Sequence, residues 1–244
     1  KTETGASNYF KNVLNNVSKY VWTATESANA VSNTAAAVAN STNILPVTYS
    51  FVGGTNGAAE DAVALSALTR AYDLFRNKEE VDITHIIMGK ARGATLANYV
   101  VQNIAEVRQD CVVYISPEKE DVVDTLEARD NIVGFRNTIS ASSYAALDTG
   151  YKYQYDKYND VFRWIPLNAD IAGCAVRTAT VAEPWMSPAG EQRGLIKNVV
   201  KLAYNPSEAD RNVLYKNDVN PVVSLTGHQT INTTFGVAST NVYQ

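Results

Sequence analysis

The sequence predicts an α/β fold: a mainly parallel sheet flanked by helices on both faces, with an aromatic hairpin or extended arm. Two observations predict the sheet. Its central third alternates strand-like and helix-like segments, the order expected of parallel strands joined by helices. Its strand-like runs, such as Cys111–Ile115, also lack polar alternation, as strands buried on both faces do. The arm is predicted by Tyr151, Tyr153, Tyr155, Tyr158, Trp164 and Trp185, which crowd large rigid side chains into one stretch.

Taken in order, Phe10, Val13, Leu14 and Val17 recur at helical spacing, and Tyr20–Trp22 reads as a short strand. Residues 23–43 are dominated by Ala, Ser, Thr and Asn, the composition of a polar connector or insertion loop. From Pro46 a strand leads through a glycine-rich turn into a helix over 61–77. Its stripe is Leu65, Leu68, Tyr72 and Phe75, and Glu60 and Asp61 favour the positive end of its dipole. Val81–Met88 is a β-branched strand closed by Gly89. A helix follows over 93–108, with Leu96, Val100, Ile104 and Val107 on one face. After the strand Cys111–Ile115, residues 117–126 are charged and surface-like, 127–139 form a helix and 143–147 a strand. Tyr151, Tyr153 and Tyr155 then alternate onto one face of a hairpin or arm that Pro166 ends. A helix over 169–176, an apolar stretch over 195–204, a helix after Pro206 capped by Ser207 and a strand over 219–225 complete the core. Beyond Thr226 the Thr- and Asn-rich tail is expected to be extended, and no internal repeat is present.

The 244 residues are expected to form a single α/β domain, with 45% hydrophobic and 19% charged residues giving a substantial core. A net charge of −4 argues against a dedicated nucleic-acid partner, and no apolar run reaches membrane-spanning length. The start KTETGASNYF shows no signal-peptide region and no initiator Met, which reads as a fragment. Cys111 and Cys174, in separate apolar contexts, read as buried free thiols in a protein assembled inside a cell. With His85 and His228 far apart, a structural zinc site is not expected.

No catalytic constellation emerges. Gly53–Gly57 stands between strand and helix, as a phosphate loop would, but lacks the Lys followed by Ser or Thr that reaches phosphate and magnesium. Asp156 and Asp160 lie in a polar tip beside Lys157 and Asn159, where solvated or salt-bridged carboxylates are expected rather than an acid–base pair. His85, inside an apolar strand, reads as a satisfied structural imidazole. Trp164 and Trp185 bracket a helix with Arg163 and Arg177 nearby, so guanidinium–indole stacking or a buried Arg–Asp pair is expected to order the region. No catalytic, metal or cofactor residue is assigned. The packing or subunit-contact candidates are Tyr151, Tyr153, Tyr155, Asp156, Arg163, Trp164, Pro166, Asp170, Arg177 and Trp185.

Several runs carry a resemblance: Tyr155–Val161, Arg163–Leu167, Ala169–Gly173, Arg177–Thr178 and Trp185–Gly190, with Val107–Cys111 and Ser116–Pro117 upstream. Together they resemble the tail sheath proteins of contractile-tailed bacteriophages of the T-even type, over roughly residues 8–223. The resemblance implies a structural subunit, found in the virion tail and assembled in the host cytoplasm. Such subunits form sixfold rings stacked helically around a tail tube, and contraction drives the tube through the host envelope. Implied partners are further copies, the tail tube protein, and baseplate and tail terminator proteins, with no nucleic acid, membrane insertion or cofactor. Three departures stand out. Arg177-Thr178-Ala179 replaces the family's Arg-Thr-Asp, Phe235-Gly236-Val237-Ala238 stands where Gly-Asp-Lys-Thr is usual, and Gln244 precedes the family's basic helix and C-terminal arm. The rival readings are a nucleotide-binding α/β enzyme and a non-polymerising interaction module.

Overall fold

The computed structural model describes residues 10–20, 54, 57, 62–225 and 230–232. All but Tyr20 of the expected strand at 20–22, the connector, the strand from Pro46, most of Gly53–Gly57, the helix start at Asp61 and most of the tail fall outside them. The chain divides into two compact units, residues 1–56 and 57–244. In the first, helix α1 spans Phe10–Val17, as its spacing predicts, and leaves Val13, Leu14 and Val17 exposed.

The second unit is built on a four-stranded sheet of order β1-β2-β3-β7, parallel throughout. Its strands are β1 (His85–Ile87), β2 (Val112–Ile115), β3 (Ala145–Asp148) and β7 (Val219–Asn220). Successive residues of β2 point to opposite sides, and both sides are apolar. Val113 and Ile115, with Ile86, Ala145 and Leu147, face a core that includes Leu96, Val100, Ile104, Ile132 and Leu214. Val112, Tyr114 and Ala146 face a second cluster with Leu167, Ile171, Cys174 and Val222. A fully buried Leu, Ile or Val contributes roughly 1.5–3 kcal/mol, so these two layers dominate the unit's stability. Both cysteines are buried free thiols, as the sequence predicts.

Helix α2 (Leu65–Asp73) packs Leu68 and Tyr72 against the first core. It is shorter than the predicted 61–77 and carries no acidic residue in its first turn, while Glu60 and Asp61 lie outside the described residues. Strand β1 is likewise a fraction of the predicted Val81–Met88. It lies at the sheet edge and pairs with β2 from His85, opposite the first residue of β2, to Ile87.

The helix predicted over 93–108 is continuous but not uniform. It comprises α3 (Gly93–Val100), a π turn (Val101–Ala105) and α4 (Glu106–Arg108). Its buried line runs Leu96, Val100, Ile104, Arg108, while the expected Val107 is 52% exposed. Four residues of α-helix advance about 400°, overshooting a turn by ~40°. The wider π turn absorbs that overshoot and keeps the four-residue step facing the sheet. Arg108 thereby enters the interior, where Asp110 at 2.9 Å and the Phe75 carbonyl at 2.8 Å satisfy it.

Between β2 and β3 lie α5 (Lys119–Val122), unexpected in the charged stretch, and α6 (Ala128–Thr138), close to its predicted bounds. After β3 come β4 (Tyr151–Asp156) and β5 (Val161–Pro166), the predicted hairpin. Helix α7 (Asn168–Val181) runs further than the predicted 169–176 and is followed by α8 (Gly190–Arg193). The apolar stretch 195–204 supplies a two-residue strand, β6 (Lys201–Leu202), which completes an antiparallel sheet of order β5-β4-β6. Helix α9 (Glu208–Lys216) starts from Ser207, whose Oγ accepts from the Asp210 amide at 3.2 Å while Asp210 accepts from the Ser207 amide. The strand expected at 219–225 is split at Pro221, which has no N–H for a ladder. Before it β7 joins the parallel sheet. After it β8 (Val222–Ser224) pairs antiparallel with β9 (Thr230–Asn232), an extended piece of the predicted tail.

Candidate functional site

Two features meet at the carboxyl ends of the parallel strands: the aromatic hairpin, and the buried polar knot that roots it. The hairpin register pairs Tyr151 with Pro166, Tyr153 with Trp164 and Tyr155 with Phe162, and strand alternation places all six on one face. They form a ladder. Tyr153 stacks on Phe162 at 5.3 Å and tilts against Trp164 at 4.8 Å, and Tyr155 tilts against Phe162 at 5.1 Å. Exposure climbs outward from Tyr151 at 2% to Tyr155 at 44% and Phe162 at 50%. The ladder is thus anchored at its root and bare at its tip.

Arg163 does not stack on an indole. It alternates onto the face opposite Trp164, where its Nε donates to Asp156 Oδ2 at 3.1 Å. The cation over Trp164 is Lys201 from β6, whose Nζ lies 5.4 Å from the rings of both Trp164 and Tyr153. Asp156 also accepts from the Asn159 side chain at 2.7 Å and the Tyr158 amide at 3.0 Å, bonds that hold its carboxyl below the usual range. Asp160 accepts from Tyr155 Oη at 2.6 Å. The two aspartates therefore fix the turn, as expected of solvated or paired carboxylates. Beside the tip an open groove of about 570 Å³ is lined by Gln154, Tyr158, Arg163, Asn198 and Val200.

At the root, Lys152 is buried and its Nζ reaches Asp170 Oδ1 at 2.8 Å and the Lys197 carbonyl at 3.1 Å. Burial raises the Asp170 carboxyl and Lys152 opposes the rise. The Arg–Asp pair of this region, Arg163–Asp156, is thus an exposed one, and the inner pair is Lys152–Asp170, joining β4 to α7. Arg177 serves α7 differently, donating to the carbonyls of Arg193 at 2.6 Å and Leu195 at 3.0 Å. Trp185 is 79% exposed beyond the helix end and takes no part in packing the helix.

The sequence reading missed the centre of the knot. Asp148, the last residue of β3, is 1% exposed. Its Oδ2 accepts from Ser116 Oγ and its Oδ1 from the Gly150 amide, both at 2.7 Å. Ser116 Oγ accepts in turn from the Asn168 amide at 3.1 Å, and Asn168 Nδ2 donates to the Gly89 carbonyl at 2.6 Å. Burial pushes the Asp148 carboxyl up to about 8. Thr149 Oγ1 accepts from the Val222 amide at 3.0 Å, and Asn220 Nδ2 donates to the Leu147 carbonyl at 3.0 Å. A signal was present: Gly89, Ser116, Asp148 and Asn220 are the non-apolar residues closing the four parallel strands. In α/β enzymes this edge holds the ligand crevice. Here the first turn of α7 and the hairpin root fill it.

His85 has a partner, Tyr114 Oη at 3.2 Å from Nδ1, and burial lowers its pKa, as befits a structural imidazole. Among the described residues no cluster of His, Cys, Asp and Glu could hold a metal ion, and no helix is long and apolar enough to cross a membrane. Of Gly53–Gly57 only Gly54 and Gly57 are described.

Residues 54–231 match the family described as phage tail sheath protein central domain. The chain is 43% identical to the tail sheath protein of Enterobacteria phage T4 over 192 residues, which cover 72% of this chain and 29% of that protein. It is 30% identical to the tail sheath protein of Salmonella phage ViI over 228 residues, covering 92% and 32%. The chain therefore spans about three tenths of the length of these relatives. Among solved structures it is similar to the helical sheath of the anti-feeding prophage in its contracted state. That likeness has a TM-score of 0.51 and 13% identity, covers 75% of this chain and 48% of that one, and concerns the fold alone. The signature of the hairpin and α7, the parallel sheet beneath them and the match over most of the chain agree: this protein belongs to the phage tail sheath family and carries its central domain.

Proposed function

We propose that this protein is a structural subunit of a contractile phage tail sheath. In this reading it polymerises as helically stacked hexameric rings around the tail tube, and contraction drives the tube through the host envelope. The observation that carries the reading is the 43% identity to a tail sheath protein over 192 residues. Its partners are further copies, the tail tube protein, and baseplate and tail terminator proteins, in a virion tail assembled in the host cytoplasm.

The physical requirement is a body that moves without deforming while its edges exchange contacts. The double-faced core supplies the stiffness. The Tyr151–Pro166 hairpin and the tail after Asn220 are the contact surfaces, with Trp185 a further exposed contact. Strand β5 ends the order β5-β4-β6, and an added strand on such an edge gains main-chain hydrogen bonds and register together. Electron microscopy of the protein, alone and with tail tubes, tests the reading. Tubular polymers are expected, and their absence under every condition would count against it. Substituting Tyr155→Ser with Phe162→Ser removes the half-exposed outer rungs and the Tyr155–Asp160 bond, so assembly is expected to weaken far more than the monomer's melting temperature falls.

A further inference from the structure

We propose that Asp148 is a protonated latch between the parallel sheet and the aromatic hairpin: as the neutral acid it ties the ends of β2, β3 and α7 together, and loss of its proton loosens the hairpin from the sheet. The position is the first argument. Asp148 ends β3, and β4 begins three residues later, so the carboxyl sits where the chain enters the hairpin, and through Ser116 it is bonded to Asn168, where the chain leaves it. Its bonds to Ser116 and to the Gly150 amide, with Ser116 bonded in turn to the first helical residue of α7, join those three elements at a single buried group.

The second argument is the nature of its hydrogen-bond partners. Asp148 receives hydrogen bonds from two neutral donors only, Ser116 Oγ and the Gly150 amide. Asn168, held in the same knot through Ser116, has a buried Oδ1 with no donor among the described residues. The region's other unpartnered polar atom, Tyr151 Oη, is a hydroxyl that can donate, so what singles out Asp148 is a carboxyl 1% exposed and met only by neutral donors. A buried carboxylate without a cation is costly, and protonation removes the cost.

The surrounding charges point the same way. Asp170 on α7 repels a charge on Asp148, and Lys152 of β4 is engaged by Asp170 and the Lys197 carbonyl. The Tyr151 phenol of β4 is itself raised by burial, by Asp148, and by Glu118 and Glu120 from the segment after β2. The latched carboxyl keeps its proton to about pH 8, whereas an opened chain releases it above about 4. Protons are then fewer in the opened state throughout that window. The hairpin's opening constant is expected to rise about tenfold per pH unit between pH 4 and 8 and to level off above.

Two measurements on the 244-residue chain test this. In a carbon-13 NMR titration the Asp148 carboxyl is expected to turn over above pH 7. A midpoint in the ordinary range near 4 would overturn the latch. Native-state hydrogen exchange at the β4 and β5 amides then compares the unaltered chain with Asp148→Asn, which mimics the neutral acid. From pH 5 to 7 the opening constant of the unaltered chain should rise about a hundredfold relative to the variant. Equal pH slopes in the two proteins would refute the coupling even if the carboxyl titrates high. Should Asp148→Asn fail to fold, the titration of the unaltered chain decides alone. Neither measurement depends on assembly, so the latch and the sheath reading can fail separately.

Discussion

At the scale of single residues, stability is concentrated where polar groups are buried with only just enough partners. Lys152 is the sharpest case. Its stem lies inside while its ammonium meets Asp170 at 2.8 Å, and either group alone would be a buried, uncompensated charge. Lys152→Ala is expected to cost about 3 kcal/mol in urea unfolding. Lys152→Met alone should keep most of that loss, because it restores volume but leaves Asp170 unpaired, and adding Asp170→Leu should recover most of it, a pattern that a plain loss of packing would not give. Gly150 is constrained by geometry instead. Its φ is +126°, and a Cβ there would lie 2.8 Å from Val122 Cγ2. Gly150→Ala is therefore expected to lose about 2 kcal/mol, seen as a lower melting temperature, because strain and overlap act at one atom.

At the scale of elements, the parts that could be read in advance were those whose pattern is local. The strands expected at 111–115 and 143–147, the helix expected over 127–139 and the alternation of Tyr151, Tyr153 and Tyr155 each follow from one segment. The Ser207 cap was equally legible, because its partner is three residues away. Ser207→Ala should cost about 1 kcal/mol, detectable as fraying of α9 by amide exchange. What could not be read depends on distant partners. The start of β1 was set by the start of β2, and the exposure of Val107 by a π turn that spacing alone does not announce. Guanidinium–indole stacking was one of two arrangements expected of these tryptophans and arginines; Arg163 does not stack on Trp164, because adjacency in a strand puts two side chains on opposite faces. Asp148 looks like any polar strand end until Ser116 and Asn168 are brought to it from 32 residues upstream and 20 downstream.

At the scale of the whole molecule, the two apolar layers make the second unit open as a body. Cys111 lies in one layer at 2% exposure and Cys174 in the other at 3%, and burial pushes both thiols up. Both should resist iodoacetamide in native buffer and react together once urea passes the unfolding midpoint, as mass spectrometry would register. Labelling of one thiol well before the other would show that the layers on the two sides of the sheet separate independently. The plugged carboxyl edge of the sheet carries a different lesson. Anyone wishing to graft a cofactor seat onto this scaffold would have to excavate Asn168, Ser116 and Asp148 first, and would thereby unhinge the hairpin from its footing. The edge that stands open in ligand-binding α/β folds is here closed by a buried joint.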